Sequence, residues 1–98
     1  MIFDWDENKE RLNIKNHDGI DFDEASEAFY DDNCFEFLDV KHSTVEEKRF
    51  VCVGNSGKRL LRVSYTIRLG ENGDEIIRII SARKGKKPEE DLYYGQQY

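Results

Sequence analysis

Three apolar segments joined by short, turn-bearing links constrain this chain most: RFVCVG (49–54), RLLRVSYTIRL (59–69) and EIIRIISAR (75–83). Each is rich in β-branched and aromatic residues, the composition of strands. The links carry Ser56-Gly57 and Asn72-Gly73, dipeptides suited to tight hairpins. Strands joined this closely run antiparallel, because a parallel pair needs a crossover of a dozen or more residues. Upstream, CFEFLDV (34–40) reads as a fourth strand, followed by the polar loop KHSTVEEK (41–48).

The period changes in the first third of the chain. Residues 5–17 set Trp5, Lys9, Leu12 and Asn16 along one side of a helix that Asp4 or Asp6 can cap. In the second helix, Asp21-x-x-Glu24 has the capping-box spacing, and Ile20 and Ala25 are placed as a hydrophobic staple. Phe22, Ala25, Ala28 and Phe29 form its apolar face, and Asp31-Asp32-Asn33 ends it. Near the C-terminus, Pro88 suits the first turn of a short helix, with Glu89, Glu90 and Asp91 at its positive end and Gly95 as its stop. The order predicts one α+β domain over residues 1–98: two N-terminal helices packed on a four-stranded antiparallel sheet, with a short C-terminal helix.

Composition bounds the function classes. The 98 residues are 38% hydrophobic and 12% aromatic, enough for one small core and against disorder as the default state. No run of 18 apolar residues exists, and the N-terminus lacks the basic and apolar regions of a signal peptide, so a cytoplasmic protein is expected. Cys34 and Cys52 sit in apolar runs and read as reduced core residues. No Cys/His spacing resembles a zinc site and no Walker-type glycine loop is present, so neither a metal nor a nucleotide cofactor is expected.

The net charge of −6 conceals a split. Residues 1–40 hold 3 Lys/Arg against 13 Asp/Glu, and residues 41–98 hold 12 against 8. Such a split suggests two faces with different partners, or simply acidic helices beside basic strands. The positive block RIISARKGKK (78–87) contains Arg78, Arg83, Lys84, Lys86 and Lys87 and no acid.

Two-residue turns at Asn72-Gly73 and Ser56-Gly57 predict a register. Arg62 would face Arg83, Ser64 would face Ser81, and Thr66 would face Ile79. In the preceding hairpin Val51 would face Arg62 and Arg49 would face Ser64. Side chains alternate across a sheet. One face then carries Arg49, Val51, Arg62, Ser64, Thr66, Arg68, Ser81 and Arg83. The other carries Phe50, Cys52, Leu61, Val63, Tyr65, Ile67, Leu69, Ile76, Ile80 and Ala82, an apolar face for the helices to cover. Arg78 is its one misfit and would have to snorkel to an edge. Arginines directly opposite each other are a local conflict that a bound anion would relieve, and guanidinium forks match phosphate. A basic face with hydroxyl donors suits a nucleic-acid backbone. Solvated arginines, some paired with acids, are the alternative.

One set of residues is also familiar as a set. It comprises Phe3-Asp4-Trp5-Asp6 with Lys9 and Asn13, His17, Phe22-Asp23-Glu24-Ala25 and Phe29. It continues with Lys48-Arg49-Phe50, Gly54, Gly57, Leu60-Leu61, Tyr65-Thr66 with Arg68, the run Arg78-Ile79-Ile80-Ser81-Ala82-Arg83-Lys84, then Glu89 and Tyr93. In these the chain resembles the BrnT toxins of bacterial type II toxin–antitoxin systems. The resemblance implies a RelE/ParE-like fold and metal-independent RNA cleavage that inhibits translation and growth. It also implies neutralisation by a BrnA-like ribbon-helix-helix antitoxin, with operator DNA reached only through the antitoxin complex.

Metal-free cleavage needs a base for the 2′-hydroxyl, positive charge around the phosphorane and an acid for the leaving 5′-oxygen. Arg49, Arg62 and Arg83 are the candidates for holding the phosphate, flanked by Arg68, Arg78, Lys84, Lys86 and Lys87. Imidazoles titrate in the useful range. His17 belongs to the family pattern, whereas His42 lies in the polar loop. Tyr65 and Trp5 read as core, Lys9 as exposed helix surface, and Tyr93 as a core or surface residue. The alternative function is a non-catalytic RNA- or partner-binding module, which needs the same cations and no base; a purely structural adapter would need neither.

Overall fold

The computed structural model describes residues 1–95. In chain order they form β1 (Ile2–Trp5), α1 (Glu7–Asn16) and α2 (Phe22–Glu27), the last continued by a 3₁₀ turn (Ala28–Tyr30). Then come β2 (Phe35–Leu38), β3 (Phe50–Asn55), β4 (Leu60–Leu69), β5 (Glu75–Lys84) and α3 (Lys87–Gly95). The sheet order is β1-β5-β4-β3-β2. β1 runs parallel to β5 and every other neighbouring pair is antiparallel.

The expected α+β class is observed, but the sheet is five-stranded and mixed, not four-stranded and antiparallel. The extra strand is IFDW, whose partners Ile76–Ile79 lie more than 70 residues away. Trp5 ends this strand and does not begin the first helix. That helix starts after Asp6, whose carboxylate accepts the N–H groups of Asn8 (2.8 Å) and Lys9 (3.1 Å). Asp21 caps α2 as expected, accepting the Glu24 N–H at 2.7 Å. Glu24 does not complete the capping box, because its carboxylate is taken by Arg59 (2.7 and 2.9 Å) and Ser56 (2.9 Å).

The hairpins correct the register. In β3–β4 the Ser56 N–H meets the Arg59 carbonyl at 3.0 Å, with Gly57 at φ 96° in the first central position, the pattern of a II′ turn. The turn is centred one residue later than expected, so the pairing moves by two. Val53 faces Arg62 and Val51 faces Ser64, instead of Val51 with Arg62 and Arg49 with Ser64. An even shift leaves every side chain on its face.

The β4–β5 link is one residue longer than expected. Gly70 N–H bonds to the Asp74 carbonyl (2.7 Å) and Gly73 N–H to the Gly70 carbonyl (2.9 Å), with Gly73 at φ 82°. Thr66 therefore faces Arg78, not Ile79. A bulge then takes up Ile80 and restores Ser64–Ser81 and Arg62–Arg83 as expected. Between loop and bulge the alternation is reversed on β5. Ile77 and Ile79 face the helices in place of Ile76 and Ile80, and Arg78 joins the cationic face.

Ile20, Phe22, Ala25, Ala28 and Phe29 meet Cys52, Leu61, Val63, Tyr65, Ile79 and Ala82 in the main core. Trp5 packs edge-on to Phe22 and Phe29 edge-on to Tyr65. Ile67 and Leu69 run past the helices and stay exposed. Both cysteines are free thiols, with Cys52 buried. On the opposite face, α3 lays Tyr93 over Val51, Val53, Leu60 and Phe35 in a second cluster. That helix closes one end of the face and leaves the rest open.

Candidate nucleic-acid interface

The open part of this face carries Arg49, Arg62, Arg68, Arg78 and Arg83, interspersed with Ser64, Thr66 and Ser81. Two depressions meet at Arg49. One, of about 210 Å³, is lined by Arg49, Arg62, Ser64, Ser81, Asp39 and His42. The other, of about 170 Å³, is lined by Arg49, Arg68, Arg78, Thr66, Lys9 and Glu47, with Ile79 and Ile80. A third, of about 220 Å³, runs along the edge of β5 between α1 and Ile80-Ser81 and contains Lys9 and His17. The three adjoin: Arg49 borders the first two, Ser81 the first and third, and Lys9 and Ile80 the second and third. Exposed acids of α2, Asp23 and Glu27, lie in the helix layer on the other side of the sheet. The charge split of the sequence maps only in part onto two faces: Asp39 and Asp4 lie among the arginines, and Arg59 pairs with Glu24 in the helix layer.

The sequence-predicted cations differ in what holds them. Arg62 and Arg68 make no direct ion pair among the described residues, although the charge of Arg62 acts on Asp39 and Glu89; Arg49 pairs with Glu47 at 3.2 Å and Arg78 with Asp4 at 3.2 Å. One Asp4 oxygen on that contact is buried without a well-directed hydrogen bond. Arg83 does face Arg62, as expected, but its guanidinium is held at 2.8 Å by Glu89 of α3. Burial pushes the Glu89 carboxyl up; hydrogen bonds from Arg83 and the Lys86 N–H, with the charges of Arg83 and Arg62, outweigh it and hold it below its ordinary value. The arginine–arginine conflict is therefore relieved partly from within the chain. Lys84 lies 3.7 Å from Asp18, Lys87 pairs with Asp91, and Lys86 is exposed beside them.

His17 caps the C-terminus of α1, its N–H bonded to the Asn13 carbonyl at 2.8 Å, and its half-buried side chain lines the groove beside Ser81. Asn13 places that helix. Beyond Trp5 the β5 edge has no strand partner. The Asn13 amide supplies one, accepting the Ala82 N–H (2.9 Å) and donating to the Ala82 (2.9 Å) and Ile20 (3.0 Å) carbonyls. Lys9, read from the sequence as exposed surface, is carried by the same helix to the groove beside Arg49 and Arg78. Tyr65 and Tyr93 are buried as packing residues; burial and Asp31 push the Tyr93 hydroxyl up to about 12.

Sequence reading weighed His42 beside His17 but passed over its pairing with Asp39. His42 Nδ1 lies 2.8 Å from Asp39 Oδ2, in the depression that holds Arg49 and Arg62. The Asp-x-x-His spacing of residues 39–42 was the available signal, hidden by the polar composition of the loop. Among the described residues no three His, Cys, Asp or Glu side chains cluster as a metal site, and no helix is long and apolar enough to cross a membrane.

Fold and charge together define a small α+β domain with a cationic, partly open sheet face. Residues 5–89 match the family described as the ribonuclease toxin BrnT of type II toxin–antitoxin systems, and the chain belongs to that family. No curated protein matches the chain significantly. As a type II toxin it has an antitoxin as partner and RNA as substrate.

Proposed function

We propose that the chain is an endoribonuclease that cleaves RNA without a metal ion, through attack of a 2′-hydroxyl on the adjacent phosphate. The observation that carries this is the arginine-lined groove, in which Arg62 and Arg68 are unpaired among the described residues. Guanidinium groups can supply the positive charge a phosphorane needs. In this reading Arg49, Arg62 and Arg83 hold the scissile phosphate, with Arg83 exchanging Glu89 for phosphate. Arg68, Arg78, Lys84, Lys86 and Lys87 draw in the flanking backbone. His17, beyond Ser81 in the same groove, protonates the leaving 5′-oxygen. A BrnA-like ribbon-helix-helix antitoxin neutralises the toxin and makes the operator contacts, and the acidic helix layer is its docking face.

Induced expression of the chain alone should stop growth, and co-expression of the antitoxin should restore it. Arg62→Ala should abolish the arrest at equal protein level. Growth unaffected by the wild-type chain, with cellular RNA intact, would leave a non-catalytic binding module instead.

A further inference from the structure

We propose that His42, oriented by Asp39, is the general base that takes the 2′-hydroxyl proton. This inference rests on the ribonuclease reading and adds to it a residue outside the arginine set.

The pair is built into the fold. Asp39 accepts twice from His42, at Oδ2 from the ring (2.8 Å) and at Oδ1 from the backbone N–H (3.3 Å). The Asp39 side chain is only 12% exposed, whereas that of His42 is 57% exposed. The carboxylate is thus a largely covered orienter and the ring reaches solvent. With Nδ1 turned to Asp39, Nε2 is the nitrogen left to act on a substrate.

The loop bearing the pair is tied to the backbone of Arg49. Asp39 N–H donates to the Arg49 carbonyl (2.8 Å), Arg49 N–H donates to the Ser43 hydroxyl oxygen (2.9 Å), and that hydroxyl donates to the Asp39 carbonyl (2.7 Å). Base and phosphate-holding cation therefore share one hydrogen-bonded frame, the kind of support that an accurately positioned constellation needs. The charged groups facing His42 are Asp39 on its own loop, Arg49 ahead of β3 and Arg62 on β4. Burial pushes the Asp39 carboxyl up, but the hydrogen bonds and charge of His42, with the charge of Arg62, outweigh it and keep Asp39 ionised.

The step balances as a transesterification. The 2′-oxygen bonds to phosphorus as its proton passes to His42 Nε2, and the bond from phosphorus to the 5′-oxygen breaks. The 5′-oxygen takes the His17 proton. The products are a 2′,3′-cyclic phosphate and a 5′-hydroxyl, and water returns the proton from one imidazole to the other.

The test uses the purified full chain, a short RNA and the same sequence fully 2′-O-methylated as a binding probe. His42→Ala should lower the cleavage rate by about 10²–10⁴-fold, leave binding of the methylated RNA unchanged and erase the acidic limb of the pH–rate profile. Added imidazole should restore cleavage by His42→Ala, which a folding defect would not allow. Asp39→Asn, a positioning change, should reduce the rate while keeping probe binding. Cleavage by His42→Ala at the wild-type rate with the acidic limb intact would overturn this inference and leave the arginine reading standing. A folded wild-type chain that cuts no RNA would overturn both.

Discussion

Asn13→Ala should destabilise the fold far more than its surface-helix context suggests. Asn13 is 4% exposed and makes three hydrogen bonds of 2.9–3.0 Å, two of them to the Ala82 peptide groups on the unpaired edge of β5. A net value of about 1 kcal/mol per bond gives a loss of about 3 kcal/mol, and a stranded buried N–H raises that toward 5. A domain of this size has about 5–15 kcal/mol in total. For chains of this length each kcal/mol moves Tm by roughly 4–8 °C, so a drop of about 12–24 °C is expected in a circular-dichroism melt. Asn13→Asp should be no better at neutral pH, since it keeps an acceptor for Ala82 N–H but sets a carboxylate against two carbonyls. The same variants should lose RNA cleavage beyond their unfolded fraction, because Asn13 docks the helix that brings Lys9 and His17 to the groove. A loss below about 1 kcal/mol would show that water satisfies the strand edge and would refute this reasoning.

Glu89→Gln should release Arg83 and tighten RNA binding, steepening the salt dependence of log K by about 0.7 if one more phosphate is neutralised; fluorescence anisotropy across salt concentrations reads this directly. Gly54→Ala should cost about 2 kcal/mol or more in urea unfolding, since a Cβ there would lie 2.3 Å from the Ala28 carbonyl oxygen. Arg59 bonding to Glu24 is the main cause of that carboxyl's lowered pKa. For Asp31, Asp39 and Glu89, burial raises the pKa but hydrogen bonds lower it further, so all four lie below their ordinary values. Such groups stabilise the fold above their unfolded pKa and lose that contribution as pH falls through the folded one. The urea midpoint should therefore drop as pH falls below about 4.3, and Glu24→Gln should show a shallower drop.

Much of this was readable in the residues. The α2 face, the four antiparallel strands, the C-terminal helix and the meeting of Arg62 with Arg83 follow from local period and turn chemistry. What was not readable depended on distant partners or on one-residue details. IFDW is too short to declare itself a strand without β5 beside it. Asn13 docks α1 by amide geometry where an apolar stripe was sought, so Trp5 was grouped with the helix instead of β1 and the exposed Leu12 with an apolar side; Lys9 is exposed on that helix as expected and also lines the groove. The longer Gly70–Asp74 loop reversed the alternation and the bulge at Ile80 restored it, so the errors at Ile76, Ile80 and Arg78 share one cause. For the groove, the cations were legible because charge alternates with core residues along each strand. Their carboxylate partners and the His42–Asp39 pair were not, because they come from loops and from α3 packed over the face.

The most direct test of the account maps the ends of RNA cut by the purified chain in the presence of a chelator. Wild-type protein should leave 2′,3′-cyclic phosphate and 5′-hydroxyl ends without added metal, and Arg62→Ala, with an unchanged melt, should cut at least about 100-fold more slowly, the scale of losing one transition-state donor. Cleavage that needs a divalent ion, or that Arg62→Ala performs at the wild-type rate, would contradict it.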